Sequence, residues 1–97
     1  MILQLVTIPV QPDKKDYFLE EFAKAQKPSL EEAGVTLYYA TVEAANPNTV
    51  VLVEEYADQA ALDSHLEEPF IKAFIEVIGE CAAGEVVLRV YDGTMRT

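Results

Sequence analysis

Three apolar stretches in a chain of 97 residues set the narrowest limit on what it can fold into. Ile2-Leu3-Gln4-Leu5-Val6, Val50-Val51-Leu52-Val53 and Val86-Val87-Leu88 are rich in aliphatic and β-branched residues and read as strands. Successive strand side chains point to opposite faces, so a sheet with one wet face carries polar residues at every second position. These stretches are mostly apolar at both parities. Both faces of the sheet are therefore expected to be covered, and a chain of this size has helices enough for only one of them. A second copy is the simplest cover for the other face, which predicts a homodimer joined through the sheets.

The remaining elements follow from local signals. Ile2 to Val10 is strand one, with Pro9 near its end. Asp13 is placed to cap helix one, whose inner side carries Phe18, Phe22, Ala23 and Ala25 and whose outer side carries a Glu20–Lys24 pair. Pro28 removes a backbone donor and predicts a kink or break before Ser29 to Ala33, with Gly34 as the C-terminal cap. Val35 to Glu43 is strand two, Asn46-Pro47-Asn48 a turn, and Thr49 to Tyr56 strand three, giving an antiparallel hairpin. Asp58 caps a short helix, Gln59 to Leu66, and Pro69 suits the first turn of a second helical piece ending near Ala83 and Gly84. Val86 to Tyr91 is strand four, followed by a short polar tail. The order β-α-β-β-α-β predicts a ferredoxin-like α+β fold, a four-stranded antiparallel sheet with helices on one face, as one domain over residues 1–97.

Charge and composition exclude several classes. Seven Lys+Arg against seventeen Asp+Glu give a net charge of -10, which repels a phosphate backbone, so nucleic acid is not an expected partner. The apolar runs are far shorter than the roughly 18 residues of a membrane span, and the first residues lack a basic secretory region. No membrane association and a cytoplasmic location are expected. Cys81, the single cysteine, falls in the apolar series Phe74, Val77, Ile78 and is expected to be a buried, inert thiol. One His and one Cys cannot build a typical zinc site, and no Gly-rich phosphate loop or nucleophile elbow is present.

The block from Asn46 to Leu66 carries Glu54-Glu55-Tyr56, an acidic residue, Ala61-Leu62, and His65 one helical turn on. With Gly34, Phe70, Lys72-Ala73-Phe74 and Val90-Tyr91 in order around it, the chain resembles the antibiotic biosynthesis monooxygenase superfamily of dimeric α+β barrels. The resemblance spans nearly the whole chain. It implies a dimer formed through the sheets and a pocket between sheet and helices in each subunit. It also implies oxidation of a small aromatic or quinol-type molecule by molecular oxygen without metal, flavin or other prosthetic group. Other members degrade haem or isomerise a phosphorylated sugar-like signal. The haem-degrading members have an Asn in strand one and a Trp after the two glutamates; here strand one has only Gln4 and Thr7 as polar residues, and Tyr56 replaces the Trp.

Within this frame His65, the only histidine, is the candidate general base, because its titration range suits removal of a proton from a phenol or an activated C–H. A packing histidine that holds the helix against strand three is the alternative. Tyr56 is the second candidate catalytic residue, as a donor to a developing oxyanion, and is otherwise a core aromatic at a strand end. Tyr38 and Tyr39 must point to opposite faces, one toward the helices and one toward a partner. With Phe22, Phe70 and Phe74 they are the candidate substrate-binding residues. Glu54 and Glu55 also point oppositely, and Arg89 is the expected partner of one of them in a structural or interface salt bridge. The leading functional expectation is a cofactor-independent monooxygenase. An isomerase or proton-transfer enzyme, or a binding or stress-associated dimer without catalysis, remain the competing readings.

Overall fold

Alternation along two central strands decides which side of the sheet becomes the core. In the computed structural model, which describes residues 1–97, the elements are β1 (Ile2–Pro9), α1 (Lys15–Glu31), β2 (Val35–Glu43), β3 (Asn46–Tyr56), α2 (Gln59–Glu67), α3 (Pro69–Cys81) and β4 (Val87–Asp92). The strands form one antiparallel sheet in the order β2-β3-β1-β4, the ferredoxin-like α+β arrangement. On β1 and β3 the even-numbered residues Ile2, Val6, Ile8, Val50, Leu52 and Tyr56 are buried against the helices. They meet Phe18, Phe22 and Ala25 of α1, Leu62 of α2, and Ile71 and Phe74 of α3 in one core. Removing that apolar surface from water, at roughly 25 cal/mol per Å2, is what holds the helices on the sheet.

The odd-numbered side of the sheet has no covering element. Register places three rows of four across it: Leu37, Glu55, Leu3 and Tyr91; Tyr39, Val53, Leu5 and Arg89; Thr41, Val51, Thr7 and Val87. None of these twelve is buried, and eight of them are large and apolar. The helices also stop short of β4. Leu88 and Val90 point to the helix side yet are 58% and 50% exposed.

Several local expectations give way to the tertiary structure. Asp13 lies in a short 3-10 turn, Pro12–Lys14, and caps nothing; α1 begins beyond it without a side-chain cap. α1 runs unbroken through Pro28, which removes the donor that the Lys24 carbonyl would have had; in the same turn the Ser29 hydroxyl donates to the Ala25 carbonyl at 2.7 Å. Lys24 pairs with Glu21 at 2.6 Å rather than with Glu20, and Ala23, one residue past Phe22, is turned to the exposed side of α1 rather than the inner one. Gly34 and Gly84 adopt no left-handed conformation. Gly34 is small because α2 presses on it: a Cβ there would stand 2.4 Å from that of Ala61. The hairpin turns at Ala44-Ala45, and Asn46 to Asn48 open β3, with Pro47 where the β2–β3 ladder is already irregular.

The capping signals of the second half behave as expected. Asp58 accepts a hydrogen bond from the Ala61 amide at 2.8 Å, and Pro69 occupies the first turn of α3. Cys81 is buried. No helix is long and apolar enough to cross a membrane.

Candidate active site

One row of the sheet's helix side departs from the apolar rule. Tyr38 of β2, Glu54 of β3 and Gln4 of β1 stand side by side, each directly opposite its neighbour in register. Glu54 is only 4% exposed and is the one buried carboxylate in the chain. Burying a carboxylate among apolar side chains is costly unless hydrogen bonds replace the lost water. Gln4 Nε2 donates to Glu54 Oε1 at 3.0 Å, and the Tyr56 hydroxyl makes a short hydrogen bond to the same oxygen. Both bonds fall on Oε1, which leaves Oε2 to the cavity that Glu54 lines.

That cavity has a volume of about 270 Å3 and lies between the sheet and the α2–α3 helices. Its floor is the row just described and the next one, Leu52, Val6 and Leu88. His65 of α2 and Phe74, Ile75 and Ile78 of α3 form the roof. The mouth lies by the partly exposed Leu66, Ile75, Val86 and Leu88, where the helices stop short of β4.

His65 is 1% exposed and held on three sides. Its ring lies 5.2 Å, centroid to centroid, from the rings of both Tyr38 and Tyr56. Its Nδ1 is 2.9 Å from Glu32 Oε2, at the C-terminal end of α1. A carboxylate only accepts, so Nδ1 carries the proton of this contact, which makes Nε2 the nitrogen whose lone pair is available in the Nδ1–H tautomer. This is the tautomer a general base requires.

Electrostatics in the row follow from burial. Desolvation pushes the Glu54 carboxyl above the usual carboxylate range, while the Tyr56 hydroxyl, His65 and Gln4 act against that shift. Burial, aided by the nearby Glu54 charge, pushes the Tyr38 and Tyr56 hydroxyls far above the ordinary phenol value, so both stay protonated. No group of His, Cys, Asp or Glu residues is arranged to hold a metal ion.

The structure thus brings together His65, Tyr38 and Phe74 on the cavity wall. Tyr56 packs with no accessible surface, and its hydroxyl is occupied by Glu54. Phe22 stacks behind Tyr38 at 5.2 Å, one layer back from the cavity. Phe70 and a second edge of Phe74 line a separate cleft between α1 and α3. Tyr39, 46% exposed, is on the uncovered face. Arg89 shares that face with Glu55 and makes no ion pair within the chain; Glu55 accepts instead from the Thr36 hydroxyl at 2.7 Å. Reading the sequence missed Glu54, Gln4 and Glu32 as site residues. Gln4 interrupts the buried series Ile2, Val6, Ile8, and Glu54 interrupts Val50, Leu52, Tyr56, so two lone polar residues on adjacent strands were the available signal.

The family model described as antibiotic biosynthesis monooxygenase matches residues 1–77. The chain belongs to this family. Among its relatives, a Bacillus subtilis (strain 168) protein named "Putative monooxygenase YcnE" is 31% identical over 75 residues, 77% of this chain and 79% of that protein. An uncharacterized protein of Synechocystis, sll1783, is 29% identical over 84 residues, and the match takes in 87% of this chain but only 57% of the Synechocystis protein's length. The fold is shared with a Nitrosomonas europaea structure described as a "Putative antibiotic biosynthesis monooxygenase", with a TM-score of 0.90 and 22% identity over 98% of this chain and 100% of that one. The antibiotic biosynthesis monooxygenase scaffold therefore accounts for the sheet and helices. A fold by itself does not decide chemistry; the residues of the site do.

Proposed function

We propose that this family member is a monooxygenase acting on a small phenolic or quinol-type molecule in the His65-lined cavity, without a bound cofactor. The observation that carries the reading is the Glu32–His65 pair, which fixes a proton on Nδ1 and so presents Nε2 as the basic nitrogen on the wall of a mostly apolar pocket. Such a base takes a proton from an O–H or an activated C–H of the substrate. The resulting anion passes an electron to molecular oxygen, and radical recombination forms a C–O bond to a peroxide, which takes the proton back from the imidazolium. Loss of water from that hydroperoxide leaves a new carbonyl. One oxygen atom enters the product and the other leaves as water.

Glu54 and Tyr38 orient the substrate oxygen from the floor, and Phe74 packs against its ring. Tyr56 acts through Glu54, as the donor that fixes it. We further propose that two copies pack through the uncovered sheet face. Eight large apolar side chains lie there, and Glu55 and Arg89 are the charged residues in its three rows.

A second reading has its own support. Glu54 and His65 line the same cavity, and an acid facing a base catalyses proton transfer or isomerisation without oxygen. An oxygen electrode with a panel of hydroquinones, naphthols and anthrone-type phenols separates the two. The monooxygenase reading expects oxygen uptake matched one to one by product. Conversion that proceeds equally well under nitrogen overturns it in favour of proton transfer.

A further inference from the structure

Glu32 touches two different spaces. Its carboxylate holds His65 Nδ1, but 20% of its side chain is exposed, and it lines an open hollow of about 340 Å3 on the outer side of α2. Gly34, Ser64 and Glu68 line the same hollow, so it is polar and open to water. His65 lines the inner cavity and not this hollow. The two residues together are thus a chain of proton-carrying groups with one end in each space.

The surroundings leave no comparable polar route. The cavity's mouth is built from Leu66, Ile75, Val86 and Leu88, and an aromatic molecule seated there displaces water from that side. The other titratable groups around His65 are Tyr38, Tyr56 and Glu54. Each of them is buried, with the Tyr56 hydroxyl committed to Glu54. With the cavity filled in this way, Glu32 is the one titratable group that connects the imidazole to solvent.

We propose that Glu32 and His65 form a proton conduit between the reaction cavity and the outer hollow. The step balances as a relay. Nε2 receives a proton from the substrate, Nδ1 passes its own proton to Glu32 Oε2, and water in the hollow removes it from there. The same steps in reverse return a proton for the product. Glu32 is a positioning and relay residue rather than one that touches substrate. The conduit rests on His65 being the base, which is part of the function proposed above, but its test needs neither substrate nor oxygen.

His65 is the only histidine, so its imidazole signals in 15N-labelled protein are unambiguous. The experiment compares tautomer and imidazole-proton exchange with water by NMR in the wild type and in Glu32→Gln, under nitrogen and with an unreactive aromatic molecule, such as a methoxynaphthalene, filling the cavity. Gln keeps an oxygen to accept the Nδ1–H bond but cannot take up and release a proton. The conduit predicts a proton on Nδ1 in both proteins and water exchange at least tenfold slower in the variant. Equal exchange rates, or a wild-type proton residing on Nε2, overturn it. If the exchange difference holds while the wild type consumes no oxygen with any probe, the monooxygenase reading fails and the conduit stands.

Discussion

Tyr56 donates its hydroxyl to the carboxyl group of Glu54, two residues earlier on the same strand, so the strand's alternation places donor and acceptor on one buried face. Gln4, opposite Glu54 in register, completes the arrangement from β1. Removing the Tyr56 donor leaves Glu54 Oε1 with Gln4 alone, and losing one hydrogen bond to a charged group typically costs about 1.5–3 kcal/mol. Tyr56→Phe is expected to lower stability by that amount in urea unfolding. A variant as stable as the wild type would mean that the hydrogen bond contributes nothing net.

Burial raises the Glu54 carboxyl above its ordinary value of 4.5, and this has a definite sign in stability. Above pH 4.5 the unfolded chain has released this proton while the folded chain still holds it, so the unfolded state binds fewer protons and stability falls as pH rises through the folded-state value. Glu54→Gln removes the titration and keeps an oxygen for Tyr56 and Gln4. Its melting temperature is expected to exceed that of the wild type at about pH 8, by a margin that shrinks toward about pH 5. A margin independent of pH would show that this carboxyl does not couple folding to protons.

These residues also show where sequence was readable and where it was not. Element order and the apolar series at Phe18, Phe22 and Phe74 come from local periodicity, which tertiary structure reinforces. Asp58 and Pro69 punctuate helices with local geometry and could be placed from sequence. Pro28 and Gly34 misled for different reasons: the helix carries its proline without breaking, three residues before its end, and the glycine answers to a neighbour, Ala61, distant in sequence. Glu32 gave no signal at all. A carboxylate at a helix end reads as solvated, and only the approach of α2 turns it into His65's partner.

The contact at Gly34 gives a direct packing test. A methyl group there meets the Ala61 Cβ at 2.4 Å, well inside van der Waals distance, and overpacking of this kind costs typically about 1–3 kcal/mol. Gly34→Ala is expected to lower the melting temperature by several degrees, and adding Ala61→Gly is expected to restore most of the loss. Failure of the second substitution to rescue the first would place the strain elsewhere.

The uncovered sheet face predicts a dimer with twice the chain mass of 10.8 kDa in light scattering. Leu5 and Val53 lie opposite each other at the centre of that face. A charge at Val53→Glu, flanked across the strands by Tyr39 and Leu5, would be buried unpaired in a dimer and is expected to yield a folded monomer. A wild type that is monomeric at high micromolar concentration would contradict the pairing of sheets.

The account rests most heavily on His65 as the base of the cavity, and oxygen uptake by His65→Ala with the best quinol or anthrone-type probe tests this most directly. The variant is expected to keep its circular dichroism spectrum and to lose at least a hundredfold in rate, in line with the 10²–10⁴-fold typical of general-base catalysis. A folded His65→Ala protein that consumes oxygen at the wild-type rate would contradict the account.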